Sequence, residues 1–259
     1  MFKSSRPDQS AKGLFEVPFF VWYQSSYQSR QNSTLQMDEK LPIQFIKIPI
    51  SKLPSLRNDG KFLLIMRLCR YLNQLAFCHQ AYLDYSEDSS PLGICQSYNA
   101  FMFSCGVLYE AFRVIPKLGK EFSTYKSFEV GFKVFWKDKD TVSIKDTVLN
   151  KMRNGVVFHV DMAPIIEAMQ TLNLRKLHLI TSTTGKIGDS HYQLADDIAL
   201  NYIIGDRGTP EAEPEYLKET FKKIMDIAVK YITNANKLIG EYVERNHWKV
   251  ETKTQQHKE

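Results

Sequence analysis

The chain has 259 residues, 43% hydrophobic and 24% charged, and its 16 Phe, 13 Tyr and 3 Trp exclude a chain disordered throughout. Twelve Gly and ten Pro exclude collagen-like and low-complexity architectures. The net charge of +5 is modest but uneven: Arg113 to Arg153 holds ten Lys or Arg against five acids, and Asp189 to Glu219 eight acids against two bases. The basic stretch suits a polyanion, although a solvated helix face gives the same count.

The N-terminal residues MFKSSRPDQSAKGLFEV lack the basic, apolar and small-residue succession of a secretory signal. No apolar run reaches the roughly 18 residues of a membrane span. A soluble, cytoplasmic globular protein that does not enter a membrane is expected. Residues 1 to about 50 carry Pro7, Pro18, Pro42 and Pro49 without helical periodicity and read as an irregular arm. Within it GLFEVPFFVWY and LPIQFIKIPI are β-branched or aromatic, suited to extended segments laid over the main body. Asn32-Ser33-Thr34 matches a glycosylation acceptor but, without a secretion signal, is read as a polar loop.

From about Asn58 the period becomes helical: Phe62, Ile65, Cys69, Leu72, Ala76, His79 and Leu83 recur at threes and fours. A second helix starts at Pro91 with Ser90 as cap, carries Ile94, Tyr98, Phe101, Cys105, Leu108, Phe112 and Ile115, and ends near Pro116 and Gly119. The short loop between the two implies antiparallel packing. Asp138 and Asp140, alternating with Lys137 and Lys139, read as a solvated loop. A third helix follows from about Ser143 through Lys151, and a fourth from about Ala163 to Leu174. KLHLITSTTGKIGDSHY reads as a short strand or an irregular loop, and a helix from about Tyr192 to Ile204 follows. The last helix runs from Pro214 to about Arg245, its stripe from Leu217 to Tyr242 suited to a bundle or a dimer seam. The helical domain spans 51–250, and ETKTQQHKE (251–259) reads as a frayed tail.

The richest chemistry lies between Leu149 and Asp161, where Arg153, Asn154 and His159 interrupt an apolar segment. A guanidinium binds phosphate, an imidazole exchanges protons near neutral pH, and an amide orients a substrate or the imidazole. These are parts for phosphodiester cleavage, with no metal or other cofactor required. His159 would act as general base or acid on a 2′-hydroxyl, and Arg153 would stabilise the phosphoryl oxygens. On an ideal helix, six positions separate Arg153 and His159 by about 120°. Three solutions are open: the long Arg side chain curls round, the helix is disturbed near Gly155, or a second subunit completes the site across a two-fold axis.

Arg153, a polar residue after it, and His159 resemble the signature of the HEPN superfamily, in which four to six residues stand between the Arg and the His. The segments RLCRYLNQLAF and FSCGVLYEAFRVI are similar to the first two bundle helices of bacterial HEPN-like proteins, over roughly Ser55 to Asp161. The resemblance implies an all-α, up-and-down four-helix bundle, here with an irregular N-terminal arm and extra C-terminal helices. It implies homodimers formed through the motif helices and a metal-independent endoribonuclease of toxin or defence systems, with RNA as substrate and an antitoxin or other protein as partner. Arg153 and His159 carry over as the catalytic pair, Asn154 as the polar residue after the Arg, and Glu110 as an acid that holds the Arg or the His. Several HEPN-like families do no chemistry, which leaves a helical interaction or nucleic-acid-binding protein as the alternative. A nucleotide-modifying bundle dimer is a third reading.

Other sequence features point to structure. Thr183 to Gly188 resembles a phosphate loop but has Ile180 where the first glycine belongs and Ile187 where Ser or Thr belongs. His191 with Asp189, Asp196 and Asp197 could hold a metal, but acids complementing a helix N-terminus explain them more simply. Cys69, Cys78, Cys95 and Cys105 lie in apolar segments without a CxxC pair and are expected as buried thiols. His79 is read as an interface residue, and Glu110 with Arg113 as an intrahelical ion pair.

Overall fold

Capping chemistry sets the helix starts. The Asp59 carboxylate accepts from the backbone N–H groups of Lys61 (2.8 Å) and Phe62 (3.1 Å), opening helix α1 (Gly60–Tyr85). Ser90 Oγ accepts from Gly93 N at 3.1 Å, and Pro91 takes the first position of α2 (Pro91–Phe112), as the sequence predicts. In the computed structural model the described residues are 14–19, 43–85, 88, 90–157, 162–171, 181–182, 190–191, 195–196, 198–199, 202 and 213–253; they are mostly helical.

The chain divides into two compact units. One comprises Leu64–Leu238, and the other combines the two ends of the chain, up to Leu63 and from Ile239 onward. In the first, α2 ends at Phe112 rather than near Gly119, and Pro116 sits in the first turn of a separate short helix, α3 (Ile115–Glu121). A missing N–H costs nothing in a first turn, so the proline starts a helix here instead of stopping one. Helical structure then resumes earlier than the sequence suggests, with a π-helical stretch Phe128–Phe132 continuing into α4 (Lys133–Lys137). Asp138 is a correction to the predicted solvated loop. Its carboxylate accepts from Thr141 N (3.0 Å) and Thr141 Oγ1 (2.7 Å), which makes it the cap of α5 (Lys139–Ile144). From there the rod alternates between π and α geometry: π-helical Lys145–Leu149, α6 (Asn150–Met152), then π-helical Arg153–Val157. It packs along α2. Helix α7 (Met162–Thr171), a two-residue pairing of β3 (Thr181–Ser182) with β4 (Ser190–His191), and α8 (Glu213–Arg245) follow.

The core of this unit is aromatic. Tyr231 of α8 lies edge-on to Phe112 (5.9 Å) and Phe132 (5.4 Å), Phe112 lies 5.4 Å from Phe135, and the Tyr231 hydroxyl donates to the Ala111 carbonyl at 3.4 Å. Four elements are pinned by side chains that each contribute about 1.5–3 kcal/mol on burial. Gly131 permits part of this contact, since a Cβ there would lie 2.8 Å from Asn234 Oδ1 on α8. On α1 the buried residues are Ile65, Leu68, Leu75 and Cys78, while Ala76 is exposed. The sequence stripe runs through Cys69 and Ala76; the structure buries their neighbours Leu68 and Leu75 instead.

The terminal unit is built on an antiparallel sheet in the order β1 (Leu14–Phe19), β2 (Ile43–Pro49), β5 (Lys249–Lys253). Register runs from Leu14 opposite Pro49 to Phe19 opposite Gln44, and from Ile43 opposite Lys253 to Lys47 opposite Lys249. Both segments read as extended do form strands, and Ile46 and Ile48 are buried at the two-residue period of a sheet face. Two readings change here: the predicted arm includes paired strands, and the predicted frayed tail begins inside β5. Trp248 anchors the turn into β5, edge-on to Tyr242 at 5.4 Å and to Phe62 at 5.9 Å. That turn closes α8 with Trp248 N donating to the Val243 carbonyl and His247 in the left-handed region at φ 52°.

Candidate functional site

Three of the four residues singled out from the sequence meet at one point. Glu110 lies in the last turn of α2, and Arg153 begins the π-helical segment packed beside it. Arg153 Nε donates to Glu110 Oε1 at 2.7 Å, with both side chains 22% exposed. Arg153 Nη1 donates to Asn154 Oδ1 at 2.7 Å, and Asn154 Nδ2 donates to Asn150 Oδ1 at 2.6 Å. The carboxylate fixes one edge of the guanidinium and the amide another, so a flexible arginine becomes a positioned one. His159 and Asp161 lie outside the described residues.

Glu110 is also held from its own helix. Arg113 Nη1 donates to both of its oxygens at 3.3 Å, so the expected intrahelical pair is present and is shared with Arg153. Two guanidinium groups on one carboxylate leave the cluster one unit positive, and Arg113 is 59% exposed. Lys151, exposed two positions earlier on the rod, places its Nζ 5.4 Å from the ring centre of Tyr202. A local excess of positive charge beside a fixed guanidinium favours phosphate. The segment Arg153–Val157, which contains Gly155, is π-helical, a geometry often found at functional sites.

The rod and α2 also border a cavity of about 480 Å³, whose lining includes Tyr98, Asn99 and Phe103 of α2, Gly155 of the π-helical segment, Asp196 and Tyr202. Asn99 Nδ2 donates to the Cys95 carbonyl (3.0 Å) and Sγ (3.3 Å), and the Cys95 thiol lies 4.0 Å from Asp196 Oδ2. Burial, and next the Asp196 charge, push the Cys95 thiol above its ordinary range. Burial also raises Cys69 and Cys78 to about 11 and Cys105 well above the ordinary thiol range. All four thiols are free, with Cys69 half-buried and the others buried.

Sequence reasoning missed this cavity. Tyr98 was one member of an apolar stripe, and Asn99 and Tyr202 carried no signal at all, because distant segments bring them together. Asp196, considered with His191 for a metal, instead borders the cavity; Asp189 and Asp197 lie outside the described residues. The phosphate-loop-like Thr183 to Gly188 also lies outside them. His79 is half-buried on α1. Among the described residues, no helix is long and apolar enough to cross a membrane.

The chain was compared with protein-family models, curated proteins and solved structures, and none matches it.

Proposed function

We propose that the protein is a metal-independent endoribonuclease with a HEPN-like helical bundle, acting as a homodimer on RNA. The observation that carries the reading is the Glu110–Arg153–Asn154 arrangement, in which a half-buried guanidinium is fixed by a carboxylate and an amide within a cluster of net positive charge. Arg153 binds the scissile phosphate and stabilises charge on its oxygens as the 2′-hydroxyl attacks. Glu110 positions Arg153, and Asn154 orients it. His159 takes the 2′-hydroxyl proton or supplies one to the leaving 5′-oxygen. Toxin or defence roles, and an antitoxin partner, belong to the same proposal through its resemblance to HEPN proteins.

A second reading, a helical interaction protein without chemistry, draws on the same ion pair: with Nε and Nη1 both engaged inside the chain, Arg153 also serves as a structural tie between α2 and the rod. Cleavage of mixed tRNA and mRNA in the presence of chelator separates the two. The nuclease reading expects cleavage by the wild type and loss in both Arg153→Ala and His159→Ala, with fold and oligomeric state retained. Equal cleavage by all three, or none, favours the interaction protein.

A further inference from the structure

We infer that one RNA strand runs from Arg153 across Arg113 and along the exposed side of the junction between α2 and α3, with the phosphate next to the scissile one held by Arg113 and those beyond it by Lys117 and Lys120. The inference rests on the proposed function and deepens it, since it names the residues that hold the substrate beside the same site.

A shared oxygen is the starting observation. Glu110 Oε1 accepts from Arg153 Nε at 2.7 Å and from Arg113 Nη1 at 3.3 Å, so two guanidinium groups stand within two hydrogen-bond lengths of each other. The carboxylate balances one of these charges, and the repulsion that remains is relieved by an anion from outside. Each guanidinium carries five N–H donors. Among the described residues, Arg153 Nη2 makes no hydrogen bond, and neither do Arg113 Nε and Nη2. Both groups thus keep open donors beside the one carboxylate that holds them, and Arg113 is 59% exposed. Phosphate oxygens match such donors in charge and in planar, forked geometry.

Burial places the next cations. The backbone stays in the right-handed helical region through Arg113 and Val114, and Val114, Ile115, Leu118 and Phe122 are buried while Arg113, Lys117 and Lys120 are exposed. The three cations therefore form one solvent-facing row at steps of four and three residues. Four residues of helix rise about 6 Å, close to the separation of neighbouring phosphates along one strand. Lys117 and Lys120 make no ion pair among the described residues, whereas Lys133 and Lys145 are held by Glu129 and Asp146. Cations without a carboxylate partner are free to neutralise phosphates and release their counterions, the sequence-independent part of nucleic-acid binding. Glu121, exposed at the end of α3, closes the row. A single strand also suits the chemistry, because the attacking 2′-hydroxyl must rotate into line with the departing 5′-oxygen.

The test is fluorescence anisotropy of a labelled single-stranded dodecamer of 2′-O-methyl RNA, titrated with the full-length protein at several salt concentrations. This probe has no 2′-hydroxyl to attack, so binding is read independently of cleavage. The expected result is saturable binding by the wild type that weakens as salt rises. Each lost single-strand phosphate contact lowers the slope of log affinity against log salt by about 0.7. Arg113→Gln, Lys117→Gln and Lys120→Gln should each show that fall and bind at least threefold more weakly at about 0.1 M salt. Lys223→Gln, which removes an exposed cation on α8, should bind as the wild type does. Should Arg113→Gln fail to fold, Arg113→Lys, which keeps the charge but not the fork, should weaken binding without changing the slope. No saturation by the wild type, an unchanged slope in the folded glutamine variants of the row, or an equal fall in Lys223→Gln overturns the inference. Binding that falls in the row variants, without cleavage of natural RNA by the wild type, upholds the row and removes the nuclease reading. Cleavage of natural RNA, with dodecamer binding untouched in the row variants, does the reverse.

Discussion

Removing Glu110 is the sharpest perturbation available, because one carboxylate holds two arginines of unlike burial. Arg153 and Glu110 are each 22% exposed and 2.7 Å apart, whereas Arg113 is 59% exposed and 3.3 Å away. At an effective dielectric of about 20, two unit charges about 4 Å apart attract by about 4 kcal/mol, and desolvation offsets part of that. Charge-assisted hydrogen bonds of this kind contribute about 1.5–3 kcal/mol net, so the Glu110–Arg153 coupling should be about 2 kcal/mol. The exposed i,i+3 pair with Arg113 should give only about 0.3 kcal/mol. A double-mutant cycle on Glu110→Gln and Arg153→Ala, read by urea denaturation, measures the first value, and the same cycle with Arg113→Ala the second. Glu110→Gln alone should lower Tm by about 4–8 °C. A coupling below about 0.5 kcal/mol to Arg153, or equal couplings to both arginines, would falsify the positioning role assigned to Glu110.

The Asp138 cap makes a pH-dependent contribution: hydrogen bonds from Thr141 hold its carboxyl below the usual range, so the stabilisation is present above its ordinary value of 3.8 and is lost as pH falls through the lower folded value. Asp138→Ala should therefore cost about 1 kcal/mol at pH 7, a gap that denaturation at pH 3 and below should find closing; a constant gap would refute the cap. His247, at φ 52°, pays for a left-handed conformation that glycine adopts freely, and His247→Gly should stabilise the protein by about 0.5–1 kcal/mol in thermal melts, where destabilisation would contradict the strain. The Cys78 and Cys105 thiols, buried and raised above the ordinary range, should resist an aromatic disulfide reagent at pH 8 until denaturant is added; rapid reaction of either in the native protein would show that the core opens there.

Capping and long-range periodicity were the legible parts of this fold. Ser90 with Pro91, and the stripe from Ile224 to Tyr242, act in the structure as their local chemistry predicts, because a cap and a seam depend on residues a few positions apart. Pro116 shows the limit: a proline marks a boundary without saying whether a helix ends or begins there. The π-helical segments were foreseen only as a disturbance near Gly155, since i→i+5 pairing is selected by packing rather than by composition. β5 was hidden because its partner β2 lies some 200 positions earlier, and alternation reveals a strand without its neighbour. At the site, Arg153 and Asn154 were legible from their own residue types in an apolar segment, whereas Glu110 entered only through the resemblance, because its contact with Arg153 joins residues 43 positions apart. The cavity was not legible, since Tyr98, Asn99 and Tyr202 acquire meaning only when the chain folds.

The most direct measurement is the chemistry of the RNA ends. Fragments produced in excess chelator should carry a 2′,3′-cyclic phosphate and a 5′-hydroxyl by mass spectrometry, and should disappear with Arg153→Ala and with His159→Ala. Fragments bearing 3′-hydroxyl and 5′-phosphate ends, or cyclic-phosphate fragments that persist in both variants, would contradict attack by the 2′-hydroxyl at Arg153.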